Sequence, residues 1–402
     1  MSRRVGRRQF LAGVGASAGG LPTITGSTIF GTSTSNRTGN QKNRHVAVNL
    51  PPETDAPVDV RGAIYIPARA FNRYQMWRDY DPEIIERDLG YADSVNLNAI
   101  RTWMSYEYWL EHPDEHWEAL EHFLSTADSY GMRVLLGLFD SVGREPTYEN
   151  LINDDPRTAV QAFSPSTRTM ASKSLWDDPR DFIVEFMERY RNDERLLAIE
   201  LTNEPGWNEK DIRFFRQMSK TLTLYQGELP LSMGSTSLAN NADYLEWGMD
   251  ILQFHYNFAR TTDLYEGVLR QANHIQDKIG APVWLSEWQR IRPGDTFFAE
   301  VSGEAAVPDY ASLAPTIQRS GIGNFFWSLM VKPAFSLYLR EHGVLNGLFH
   351  EDGAVWDLDD ASSIKAMSGD PEYEGEERKE YPDWADIIKK KAEQAPGEEQ
   401  PE

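Results

Sequence analysis

Cysteine is absent from the 402 residues, which excludes disulfides, thiolate metal sites, iron–sulfur clusters, cysteine nucleophiles and thiol-linked lipids. Lysine is scarce, with 11 against 29 arginines. Acidic residues are missing before Glu53, whereas residues 1–44 carry seven Lys and Arg. The remaining 33 basic residues stand against all 62 acidic ones, and the chain as a whole has a formal charge of −22. Such a surface excludes nucleic acid and anionic lipid as partners, because both require clustered positive charge. An acidic, lysine-poor surface instead suits a salt-rich medium, where dissolved ions screen the self-repulsion. No P-loop pattern occurs, and the one glycine-rich stretch, GVGASAGG, follows no strand and is not a dinucleotide fingerprint.

What is present begins with RRVGRRQFLAGVGASAGGL at residues 3–21. A basic start, Arg7-Arg8 with Phe10-Leu11 two residues on, a weakly apolar Gly/Ala stretch and Ala16-Ser17-Ala18 resemble a twin-arginine export signal. The stretch is too short and too polar for a stable membrane span, so no membrane anchor is expected. Residues 22–56, rich in Thr, Ser, Gly, Asn and Pro, read as a linker, in which Asn36-Arg37-Thr38 fits a glycosylation sequon. The expected division is a signal at 1–21, a linker at 22–56, one large domain at 57–368 and an acidic tail at 369–402 with its last ten or so residues disordered. The mature chain is expected to be secreted and monomeric.

From Val60 onward, short apolar or β-branched runs alternate with amphipathic stretches. Eight such runs occur: 60–66, 98–103, 133–139, 196–202, 229–235, 251–256, 282–288 and 323–329. Asp81 before Pro82 is a helix start signal in one of the stretches between. Eight strands joined by helical crossovers give an α/β fold, a (β/α)8 TIM barrel. The long connections 140–177, 289–308 and 330–358 each follow a strand, on the face where such barrels place their sites.

The strand ends are chemically specific. Strand two ends in Arg101-Thr102-Trp103, strand four in Asn203-Glu204-Pro205, strand six in His255-Tyr256, strand seven in Glu287-Trp288, and strand eight holds Trp327. Two glutamates therefore point into one mouth. Glycosidic hydrolysis requires such a pair, one carboxyl protonated to serve the leaving oxygen and the other ionised to attack the anomeric carbon. Arg101 beside Glu287 would hold that group as carboxylate, with Tyr256 as a second donor, leaving Glu204 as the acid. Asn203 suits a sugar hydroxyl and Trp327 an apolar floor under a ring. Trp103, Trp207 and Trp288 fit either core packing or sugar stacking. EHPDEHWEALEHF at 111–123 has three histidines but no His-Glu-x-x-His pattern, so it reads as a solvated helix face rather than a metal site.

The motifs NAIRTW, LTNEP, LSEW and FFWSL, in that order, resemble clan A glycoside hydrolases and most closely glycoside hydrolase family 5, over roughly residues 58–360. The resemblance implies double displacement with retention, with no metal and no organic cofactor. It also implies that Glu204 is the acid/base, that Glu287 is the nucleophile, and that Arg101, Asn203, His255, Tyr256 and Trp327 support them. The adjacency of His255 and Tyr256 departs from the one-residue spacing of many members, and alternation along a strand lets one of them face the site unless a bulge intervenes. The expected substrate is a β-linked polysaccharide or oligosaccharide, with β-1,4-mannan or β-1,4-glucan favoured. A transglycosylase of the same fold and a non-catalytic carbohydrate-binding barrel are the alternatives.

Overall fold

The computed structural model describes residues 59–388 apart from 258–260, 290–308 and 342–343. The export segment, the linker with its sequon, most of the 289–308 connection and the last residues of the acidic tail lie outside the described residues.

The strands are β1 (Arg61–Ile64), β2 (Ala99–Trp103), β3 (Arg133–Asp140), β4 (Leu196–Asn203), β5 (Leu231–Gly234), β6 (Leu252–His255), β7 (Val283–Gln289) and β8 (Gly323–Trp327). Each falls inside a run expected from sequence or oversteps it by one residue. All pair in parallel in the order β5-β4-β3-β2-β1-β8-β7-β6. A single Ser232–Ile251 bridge and the His255 N–H to the Ser235 carbonyl at 2.9 Å bring β5 against β6 and nearly close the barrel. Burial on both faces explains why these strands read as continuous apolar runs rather than alternating ones.

Among the described residues, the longest helix after each strand is, in turn, α1 (Pro82–Ser94), α2 (Pro113–Ser129), α3 (Asp177–Tyr190), α4 (Glu209–Leu224), α5 (Asn241–Glu246), α6 (Thr262–Ile279), α7 (Tyr310–Ser320) and α8 (Leu358–Ala366). Local chemistry sets their ends. The Asp81 side chain accepts from the Glu83 N–H ahead of Pro82, and Asp309 and Ser312 form a reciprocal capping box for α7. Gly280 ends α6 in the left-handed region at φ 73°. No described helix is long and apolar enough to cross a membrane.

The acidic segment after 369 is packed as far as it is described: Val355 bridges Glu377, and Ala385 and Ile388 are buried, while the residues expected to be disordered lie outside the described residues. Its charged residues face outward while its few apolar ones find the core, a pattern that composition averages away. His116, expected on a solvated face of α2, is fully buried against Trp77, Tyr108 and Trp117. Burial takes its ring down to about 3, so it packs as a neutral aromatic.

Candidate active site

Strand register assembles the site. Asp140, Asn203 and Gly234 stand side by side at the ends of β3, β4 and β5, and His255 stands opposite Glu287 across β6 and β7. The last pairing depends on a register slip between Phe254 and His255. Glu204 follows directly, with its N–H bonded to the Gly234 carbonyl at 2.7 Å and its backbone at φ 44°. A non-glycine residue in the left-handed region is strained by about 1–3 kcal/mol and persists only where the surroundings hold it. The turn at Glu204, with Pro205 behind it, ends the strand and aims the carboxylate into the mouth.

The two glutamates meet there. One oxygen of Glu204, Nδ1 of His255 and one oxygen of Glu287 all lie within 4.8 Å of one another. His255 Nδ1 is 2.6 Å from Glu204 Oε1 and 3.5 Å from Glu287 Oε2. Burial takes the imidazole down to about 4, so it faces the glutamates as a neutral hydrogen-bonding ring. Burial also pushes the Glu204 carboxyl up to about 7; Arg101 pulls it down and Glu200 pushes it further up. The Glu287 carboxyl is raised by burial too, opposed by His255, Arg101 and the Asn257 amide. Arg101 Nη1 lies 3.3 Å from Glu287 Oε2, and Asn257 Nδ2 donates to Glu287 Oε1 at 2.8 Å.

Among the described residues, Glu204, His255 and Glu287 are also the group whose donor atoms could hold a metal ion. The Arg101 guanidinium touches the same carboxylate and would repel such an ion.

Arg101 itself is fully buried. Its Nε and Nη2 grip both oxygens of Glu200 at 3.0 and 2.9 Å, Nη2 also donates to Asn203 Oδ1 at 2.9 Å, and Nη1 also donates to the Ser286 carbonyl at 3.1 Å. Asn203 passes the chain on, donating to Asp140 Oδ1 at 3.1 Å. Arg73 Nη1 meets the other oxygen of Asp140 at 2.9 Å. Both arginines lie over the Trp103 indole, Arg73 4.3 Å and Arg101 4.5 Å from the ring centre.

The sequence-predicted residues divide accordingly. Glu204, Glu287, Arg101, Asn203 and His255 converge. Trp327 ends β8 at 9 % exposure, packs edge-on to Phe335, and precedes a cis peptide bond to Ser328. Trp207 is 47 % exposed and stacks on Tyr244, three residues beyond Glu204. Trp103 and Trp288 are corrected. Both are fully buried, Trp103 against the arginines and Trp288 with its indole N–H on Asn324 Oδ1 at 3.0 Å, so neither presents a face to a sugar. Tyr256 is corrected too: its ring packs on Tyr265, and Asn257 takes the expected place as donor to Glu287. Sequence reasoning missed Glu200, Arg73, Asp140 and Asn257. A signal existed for Glu200, the single charge inside the apolar strand β4.

Fold and site thus define the class: a (β/α)8 barrel with two carboxylates paired at the C-terminal ends of β4 and β7. No protein-family model matches the chain, and no curated protein does. Solved structures do. An exo-β-1,4-mannosidase from Opitutaceae bacterium strain TAV5 aligns with a TM-score of 0.54 and 15 % identity over 77 % of this chain, which spans only 58 % of that protein. A family 5 glycoside hydrolase mannosidase from Rhizomucor miehei aligns at 0.53 and 13 % identity over 78 % of this chain and 93 % of its own. A β-galactosidase from Marinomonas ef1 aligns at 0.53 and 12 % identity, over 77 % and 59 %. At these identities the likeness is one of fold.

Proposed function

We propose that this chain is a retaining glycoside hydrolase in which Glu204 is the acid/base and Glu287 the nucleophile. The observation that carries this reading is the Glu204–Glu287 approach within 4.8 Å. Retaining enzymes hold their two carboxyl groups about 5–5.5 Å apart, whereas inverting ones leave about 6.5–9.5 Å for a water. In the first step Glu287 attacks the anomeric carbon while the Glu204 proton passes to the glycosidic oxygen, so the leaving sugar departs as an alcohol. In the second step Glu204 takes a proton from water, whose oxygen displaces Glu287 from that carbon. A carboxyl raised to about 7 suits both roles of Glu204 near neutrality. Trp207 lies on the Glu204 side and offers an exposed ring to the leaving sugar.

The substrate is a β-linked glycan, with β-1,4-mannan or its oligosaccharides placed first and β-1,4-glucan second. The Ala99–Trp103 motif supports this order, and two of the similar structures are named as mannosidases. Sugar release from mannans, glucans and xylans in high salt, with anomeric configuration followed by NMR, tests the reading. Hydrolysis with retention, lost at least ~10³-fold in Glu204→Ala and in Glu287→Ala, is the expected result. Inversion, or full activity in either variant, overturns it. We also propose export by the twin-arginine route on the strength of Arg7-Arg8-Gln9-Phe10-Leu11; Arg7→Lys/Arg8→Lys should retain the chain inside the cell.

A further inference from the structure

Among the described residues, Arg101 is the arginine that reaches the pair at the mouth, and it is shared. Arg101 is answered inside the barrel by Glu200, which is fully buried, takes two of its N–H groups at 2.9 and 3.0 Å, and accepts a third bond from the Trp103 indole at 3.1 Å. The contact of Arg101 with Glu287 is single and 3.3 Å long, beyond the 2.7–2.9 Å usual for charged pairs. Arg73, also against the Trp103 ring, is answered by a single contact with Asp140. The fold keeps space clear for this arrangement. A Cβ on Gly234 would lie 2.9 Å from both Arg101 Nη2 and Glu200 Oε1, and one on Gly137 would overlap the Trp103 ring.

We propose that Glu200 is a positioning residue: by occupying two N–H groups of Arg101 within the barrel, it limits the pull of Arg101 on the Glu204–Glu287 pair and so helps keep Glu204 protonated. The inference concerns protonation at the site and rests on the hydrolase reading for its kinetic consequence. Two negative groups this close, with Arg101 already engaged by Glu200, hold one proton between them. Asn257 donates to Glu287 and not to Glu204, which directs the ionised state to Glu287. Without the charge on Glu200, Arg101 stands uncompensated beside both glutamates, and Glu204 ionises more readily. Glu200 raises and Arg101 lowers the Glu204 carboxyl, in the same sense.

The test is to follow the titration of Glu204 by NMR in the full chain labelled with ¹³C at the glutamate carboxyls, its signal identified by loss in Glu204→Gln. In Glu200→Gln the Glu204 midpoint should fall by about one pH unit or more, and the alkaline limb of any glycan hydrolysis should move to lower pH by the same amount. An unchanged midpoint in folded Glu200→Gln overturns the proposal and leaves Glu200 a structural ion-pair partner. Should that variant fail to fold, Glu200→Asp keeps the charge but withdraws it by one methylene. It should lower the Glu204 midpoint by a smaller step, and again no change overturns the proposal. A lowered midpoint in protein that hydrolyses no glycan supports the assignment of Glu200 while the hydrolase reading fails.

Discussion

Glu204 concentrates several costs in one residue: a left-handed backbone, a carboxyl sealed from water except for 24 % of its side chain, and a second carboxyl close by. Its folded form holds a proton up to about 7 against 4.5 for the free group. The folded state therefore binds more protons than the unfolded chain in that window, and Glu204 removes stability as pH rises from 4.5 to 7. Glu204→Gln should escape the loss. Its stability should match wild type below about pH 4.5 and exceed it above pH 7, by an amount on the order of 3 kcal/mol; parallel thermal melts across pH, with the melting temperature higher in the variant above pH 7, check this. Asn257 and Tyr256 offer a sharper contrast. Removing the Asn257 amide takes a hydrogen bond from the Glu287 carboxylate, so Asn257→Ala should shift the acidic limb of the rate profile upward by up to about one pH unit. Tyr256→Phe should leave that limb in place, because its ring faces Tyr265. The glutamates, Arg101 and Asn203 were legible because strand ends carry little else that is charged. Asn257 was not, because its nearness to Glu287 depends on how the chain leaves β6.

At the scale of elements, one register slip lies at the start of β3, between Val134 and Leu135, and the others fall towards the mouth. Register slips occur in β4 between Glu200 and Asn203, in β6 between Phe254 and His255, and in β7 between Leu285 and Trp288. Each slip re-aims the residues after it, and a two-residue alternation cannot announce that. This is why Trp288, beside a site glutamate in sequence, turns into the core, while His255 enters the site. Gly137 and Gly234 have the complementary role of leaving room. Gly137→Ala should push on the Trp103 indole and destabilise the fold by about 1–3 kcal/mol in urea denaturation, the usual cost of overpacking.

Over the whole molecule, the core is rich in aromatic side chains and the chain carries a formal net charge of −22. Repulsion among like charges opposes the compact state and fades as salt shortens the screening length from about 10 Å at 0.1 M to 3 Å at 1 M. The melting temperature should therefore rise with KCl over that range, and a flat or falling curve would show that the acidic surface is no burden at low salt. The packed segment 370–388 contributes its own ion pairs, Arg378 with Asp352 and Lys379 with Asp357.

The sequence by itself determined the eight strands, their order, the helices between them and the two glutamates at the ends of β4 and β7. All of these follow from local hydrophobic patterning, capping residues and the handedness of parallel crossovers, which act over a few residues at a time. Tertiary structure alone decided which tryptophans are buried, that Glu200 and not Glu287 is the main partner of Arg101, and that Asn257 replaces Tyr256. Those outcomes depend on distances between strands far apart in the chain and on one-residue slips at their ends. A residue type does not record whether its neighbours across the barrel will leave it a path to water.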